Sequence, residues 1–193
     1  MNKLVKVFFI AAILFPAYAH AQEKEPYSDI TIGIRYSNNV NRNRLHNGWS
    51  PQDGLNGYVT TPFYFGKLQG GLRIIEFEAK TEDIPDFNSW YIYAGWGKEM
   101  NVFEKLEIYG SVNAGSFQMN FNDPSLADEL TNESEFAIEI STSFSYPVIR
   151  NLFATVSGTY QHVFTHNELN LYFLEAGLQY RFKSPQWLKD FLR

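Results

Sequence analysis

Between residues 135 and 146 the chain alternates in side-chain character. Phe136, Ile138, Ile140, Phe144 and Tyr146 share one phase, and Glu135, Glu139, Ser141, Ser143 and Ser145 the other. Successive side chains of a strand point to opposite faces, so this stretch is a strand with one apolar and one polar side. The pattern recurs with Ile30, Ile32, Ile34 and Tyr36, and again with Leu55, Val59, Phe63 and Phe65. Eight such segments fall at residues 29–37, 55–65, 71–80, 89–97, 106–117, 134–146, 152–164 and 169–182. Most have the length of a tilted strand that crosses a hydrocarbon layer, about 9–11 residues. The third segment mixes two phases, Leu72 and Ile74 against Ile75, Phe77 and Ala79, which predicts a bulge near Ile74.

The connections alternate as well. Residues 38–54, 81–88 and 122–133 are long and polar, whereas 66–70, 98–105 and 147–151 are shorter. Long loops on one side and short turns on the other mark a membrane barrel. A soluble barrel alternates too, with its apolar phase inward. Three features favour the polar phase inside. Arg35, Glu76, Glu78, Glu107, Glu139, Glu175 and Arg181 share it with small Ser, Thr and Gly, which suits a lumen filled by ion pairs. Aromatic residues, 17% of the chain, gather near strand ends as two girdles would. Those rings on a water-facing surface would form an aggregation-prone belt. The fold class expected is all-β, an eight-stranded antiparallel transmembrane β-barrel over residues 22–182.

Residues 1–21 read as a cleaved export signal. Lys3 and Lys6 precede the apolar run 7–15, and Ala19-His20-Ala21 supplies small residues at the cleavage site. The run is too short to span a bilayer as a helix. Loss of the two lysines takes the formal charge from −5 to −7. That acidity excludes nucleic acid as a partner. With no Cys in the chain, a lipoprotein anchor is excluded and stability rests on burial and backbone pairing.

The last segment, Glu175-Ala176-Gly177-Leu178-Gln179-Tyr180-Arg181-Phe182, resembles the C-terminal assembly signal of bacterial outer-membrane barrels, with Gly177, Tyr180 and Phe182 at its marked positions. The mature chain as a whole resembles the small eight-stranded OmpA/OmpX-like barrels. The resemblance implies a closed barrel in the bacterial outer membrane, both termini in the periplasm, and recognition by the barrel-insertion machinery. The family's signal usually ends the chain; here residues 183–193 continue. Trp187, Leu188, Phe191 and Leu192 share a face if that periplasmic tail is helical, with Pro185 in the first turn and Lys189 and Arg193 at lipid headgroups. An irregular tail is the alternative.

Chemistry is sparse. A deacylase-like site would place Ser two residues after a His, but Phe164 follows His162 and Glu168 follows His166; His46 stands alone in a loop. No catalytic residue is assigned. Glu78, Glu139 and Glu175 could act as acid and base, yet pairing with Arg35, Arg181 or Lys80 is the simpler reading, because unpaired buried charge is costly. Arg42 and Arg44, among loop asparagines, suit phosphates of lipopolysaccharide. Glu82, Asp83 and Asp86, and separately Asp123, Asp128 and Glu129, fit no defined calcium loop. No cofactor or metal motif occurs. The expected function is that of a monomeric structural or surface-interaction protein in contact with outer-membrane lipid and lipopolysaccharide, its lumen plugged by polar side chains. The alternatives are a lipid A- or phospholipid-modifying enzyme, a small channel or carrier for apolar ligands, and a soluble periplasmic barrel.

Overall fold

Eight antiparallel strands, each hydrogen-bonded to its sequence neighbours and the last to the first, close into a barrel. They are β1 (Asp29–Asn39), β2 (Trp49–Phe63), β3 (Gly66–Ala79), β4 (Phe87–Phe103), β5 (Leu106–Phe121), β6 (Asn132–Ile149), β7 (Leu152–Val163) and β8 (Leu169–Lys183). A single helical turn, α1 (Leu45–Gly48), lies between β1 and β2. The computed structural model describes residues 25–103, 105–122, 132–165, 169–187 and 190. The expected export signal, His166, the second acidic loop cluster and most of the tail's apolar face lie outside the described residues.

The register fixes the barrel's dimensions. Paired residues followed round the wall run Thr31, Thr60, Gln69, Gly95, Asn113, Glu139, Gln161 and Leu171. Phe173 faces Asn39, so on the same register Leu171 falls level with position 41, two beyond the end of β1 and ten beyond Thr31. Ten residues at about 3.3 Å against eight strands at about 4.8 Å incline the strands by about 40°. Each residue then advances about 2.5 Å along the axis. An eight-stranded wall leaves an interior just wide enough for side chains.

Asp29 pairs with Lys183, so both ends of the described barrel lie at the same end as the short turns. The β2–β3 turn is the two residues Tyr64 and Phe65, and Tyr64 has φ 50°. Two-residue hairpin turns require a positive φ to follow the strand twist, a conformation that disfavours a side chain as bulky as Tyr.

Which face is apolar depends on height. Over the lower and middle wall the apolar phase points outward: Ile34, Val112 and Leu178 are 56%, 56% and 48% exposed. Val156 of β7, 56% exposed, is outward with them. Towards the long-loop end the phases exchange character. On β5 the outward sequence Val112, Ala114 gives way to Ser116, Gln118 and Asn120, while inward Ser111 and Asn113 give way to buried Phe117 and Met119. On β3, Ile74 is followed outward by Glu76 and Glu78, and Arg73 inward by Ile75 and Phe77. The upper interior is an apolar cluster that includes Ile75, Phe77, Phe87, Phe117, Leu171 and Phe173, with the Phe77 and Phe87 rings stacked at 4.6 Å.

Two expectations are corrected here. Glu76 and Glu78 are on the exterior and exposed, because β3 keeps one phase throughout and its upper apolar residues fill the interior. The predicted bulge near Ile74 is absent: β3 pairs with β4 without interruption. The irregularity lies instead on β2, between Pro51 and Gly54.

Candidate functional site

At mid-height four charged side chains converge inside the wall. The fully buried Arg73 reaches Glu139 through Nη1 at 2.6 Å and Glu175 through Nε at 3.0 Å. Arg35 Nη1 lies 3.6 Å from the other Glu175 oxygen. Glu175 also accepts hydrogen bonds from Ser37, Asn56 and Ser157, each at 3.0 Å, and Glu139 accepts one from Asn113 at 2.9 Å. These neutral donors occupy the lone pairs that the guanidiniums leave free, which is what a buried carboxylate needs. Aromatic faces complete the shell: Arg35 lies 4.0 Å over Tyr58, and Arg73 lies 4.4 Å over Phe173.

A second network fills the end near the termini. Arg181 holds Glu107 in a fork at 3.1 and 2.6 Å and touches Glu99 at 3.4 Å, and Lys67 pairs with Glu99. Arg181 lies 4.7 Å over Phe153. Between the networks, Tyr58 donates to Gln179 at 2.8 Å, and a cavity of about 10 Å³ is lined by Arg35, Tyr58, Tyr109 and Gln179, among others. That is room for about one water.

Of the residues marked in the sequence for a lumen network, Arg35, Glu139 and Glu175 stand in the middle cluster, Glu107 and Arg181 in the lower one, and Glu76 and Glu78 in neither. Sequence reading missed Arg73, Lys67 and Glu99. Arg73 was legible in principle, since Leu68, Leu72 and Ile74 set an outward phase that places 73 inward. The apolar Ile75 and Phe77 obscured that phase. Gly177 faces inward where β8 meets β1; a side chain there would press within 2.0 Å of the Ile34 carbonyl oxygen. Tyr180 and Phe182 face outward, their rings stacked at 6.2 Å.

At the opposite end the β1–β2 connection folds back onto β8. Val40 N–H donates to the Tyr172 carbonyl at 2.9 Å, and the side-chain amides of Asn41 and Asn43 donate to the Asn170 carbonyl at 2.8 and 2.6 Å. His46 of α1 is buried, with Nε2 2.8 Å from Asn39 Oδ1 and Nδ1 accepting the Asn43 N–H at 3.0 Å. Burial foremost, with Arg42 and Lys80 nearby, holds its pKa below the ordinary 6.5. Lys80 Nζ donates to the His46 carbonyl, and Trp49 Nε1–H donates to Pro85 O at 2.8 Å. The asparagines anchor the segment, while the alternating Arg42 and Arg44 are exposed. Asp86 of the acidic loop accepts the Ala79 N–H at 2.6 Å. On the exterior, His162 Nδ1 lies 2.7 Å from Asn170 Oδ1, which also accepts from Tyr160 OH at 2.7 Å.

No protein-family model matches the chain, and no curated protein matches it by sequence. Solved structures with a similar fold include outer membrane protein H (OprH) from P. aeruginosa, at TM-score 0.56 and 10% identity over 80% of this chain and 100% of that one. Neisserial surface protein A aligns at TM-score 0.53 and 13% identity over 82% and 100%. Ail, the attachment invasion locus protein of Yersinia pestis, solved in complex with the heparin analogue sucrose octasulfate, aligns at 0.52 and 17% over 82% and 100%. At these identities the likeness is one of architecture: the chain has the closed eight-stranded barrel that these small bacterial surface and outer-membrane proteins have.

Proposed function

We propose that this chain is an exported bacterial outer-membrane barrel with a structural or surface-interaction role, its lumen plugged by side chains. One observation carries the reading: apolar side chains cover the exterior at the height where ion pairs are buried inside. On β4 the outward positions Trp90, Ile92, Ala94 and Trp96 are bounded by Asn88 and Lys98. That interval of ten residues is about 25 Å along the axis, the height of a barrel's lipid-facing band. Trp90 and Trp96 fall near its two edges, as interfacial aromatics do. The membrane reading puts the termini and short turns in the periplasm, with residues 1–21 removed on export, residues 183–193 following as a periplasmic tail, and insertion machinery engaging Gly177, Tyr180 and Phe182.

The water-sized cavity and the packed upper aromatics support a plugged lumen over a channel or apolar carrier. The hydrogen bonding of His46 and His162 to asparagines supports a non-enzymatic role over lipid modification. Arg42 and Arg44 form the outward face of the segment 40–48, and guanidinium forks match phosphate or sulfate oxygens. We assign them contact with lipopolysaccharide phosphates; the polysulfated ligand of the Ail structure is of the same chemistry. The protein acts as a monomer in this reading.

The test is electrophoretic mobility with and without boiling after extraction in detergent. A heat-dependent shift is expected; absence of a shift together with solubility free of detergent overturns the membrane reading. Baseline conductance in planar bilayers is expected of a plugged lumen, and discrete channel openings refute it. Substitution of both Arg42 and Arg44 by Gln should weaken lipopolysaccharide binding several-fold, and unchanged binding removes that contact.

A further inference from the structure

The strand glycines divide by what a side chain would meet. At the inward Gly33, Gly71, Gly95, Gly97, Gly115 and Gly177, an added Cβ would come within 2.5 Å of a ring or of backbone. Close packing requires glycine at each. The outward Gly57 and Gly110 have nothing within 4 Å, and Gly70 would meet only the Tyr93 carbonyl, at an ordinary 3.7 Å. Glycine weakens a strand, and where packing does not demand it, it marks a place that something else approaches.

Gly70 pairs with Val59 on one side and Ala94 on the other. The missing bulk opens an exterior groove of about 530 Å³ between Val59, Leu68, Gly70, Ala94 and Trp96. The next outward position on β4 below Trp96 is Lys98, half-buried and paired in register with Gly110. Its outward neighbours on β5, Ile108 and Val112, carry no charge. An apolar groove in the lipid-facing band thus lies one outward position above a cation at the band's edge, as an acyl chain of that leaflet lies above its phosphate.

We propose that this β2–β4 groove is a binding site for one glycerophospholipid of the leaflet nearest the termini, with an acyl chain against Gly70 and Ala94 and the phosphate on Lys98. The site rests on the membrane-barrel reading above. The short side chains admit the chain's methylenes to the wall, Trp96 borders the glycerol region, and Lys98 supplies the counter-charge.

Native mass spectrometry of the detergent-extracted barrel, titrated with phosphatidylglycerol, tests this. The unsubstituted protein should retain one lipid. Gly70→Leu, which fills the groove with only an ordinary contact to the Tyr93 carbonyl, should cut retention at least tenfold, and Lys98→Gln about fivefold. Both variants should keep the heat-dependent mobility shift. Equal retention in all three proteins overturns the site. A dimer that disappears in Gly70→Leu gives the groove to a second copy and overturns it also. Loss of the mobility shift in the unsubstituted protein refutes the membrane reading itself, a distinct outcome.

Discussion

Replacing Arg73 by Met separates a lumen held by ion pairs from one merely filled by side chains. Met keeps most of the unbranched length and removes the charge. Two unit charges about 4 Å apart attract by about 4 kcal/mol at an effective dielectric of about 20, and Arg73 has two such partners, at 2.6 and 3.0 Å. Most of that attraction offsets the several kcal/mol needed to desolvate each ion, so the intact cluster is near break-even. The variant keeps the desolvation and loses the attraction. Glu175 retains Arg35 and three neutral donors, whereas Glu139 keeps Asn113 alone among the bonds described. The expected loss is about 3–5 kcal/mol. Adding Glu139→Gln should recover about 0.5–3 kcal/mol of it, the range of coupling for residues in one network. Arg181→Met, at a site 19% exposed, should cost only about 1 kcal/mol, since water screens that pair and solvates the carboxylates left behind. Reversible urea unfolding in micelles, followed by tryptophan fluorescence, gives these values, with Glu139→Gln measured alone to complete the cycle. Equal costs for Arg73→Met and Arg181→Met, or additivity of Arg73→Met with Glu139→Gln, would refute this account of the lumen.

The same unfolding assay tests the proposed lipid-facing band: Val112→Arg, within it, should cost about 2–4 kcal/mol, while Glu78→Arg, above it, should stay within about 0.5 kcal/mol. Gly177→Ala should markedly lower folding yield, because its Cβ would meet the Ile34 carbonyl oxygen at 2.0 Å; Gly158→Ala, with nothing within 4 Å, should be neutral or gain about 0.4–1 kcal/mol. His46 has a pKa lowered by folding, so protonation favours the open loop: stability of the 40–48 segment is full above pH of about 6.5 and is lost as pH falls below it. Amide protection factors at residues 43–46, corrected for the intrinsic pH dependence of exchange, should fall between pH 8 and pH 5, and His46→Gln should flatten that profile.

Strand number, order and the inward placement of Arg35, Glu139 and Glu175 were legible because β1, β6 and β8 keep a strict alternation in the band. The true strand lengths were not. β4 continues from Gly97 to Phe103 and β6 to Ile149, beyond the aromatic residues that mark a membrane edge, because backbone pairing with a neighbour continues wherever the neighbour does. The anchoring of the 40–48 segment on the Asn170 carbonyl joins residues about 130 positions apart, a contact that only the closure of β1 on β8 creates. Local asparagine content suggests a polar loop and nothing about where it docks.

The misplacement of Glu76 and Glu78 has one physical source. Alternation reports that a strand has two unlike faces; which face is apolar is set by the medium outside the wall at that height. In the membrane reading the lower wall lies beside hydrocarbon, where burial favours Val112 outside and Asn113 within. Where the same strand rises into water, the hydrophobic effect reverses its preference, so Gln118 faces out and Phe117 faces in. A strand that crosses both media therefore exchanges apolar and polar phases partway along, and the exchange imitates a one-residue slip of register. On β3 the exchange falls between Ile74 and Ile75. It read as a bulge because two consecutive apolar residues break a period of two in either case. The neighbouring strand separates the explanations: on β5, Ala114 and Ser116 stand outward in an uninterrupted register, with Phe117 following inward. A real bulge breaks the ladder at one strand, whereas a change of medium shifts the patterns of separate strands, here β3 and β5, at a common height. Pairing the segments before assigning their faces would have placed Arg73 inside and Glu76 and Glu78 outside from the sequence alone.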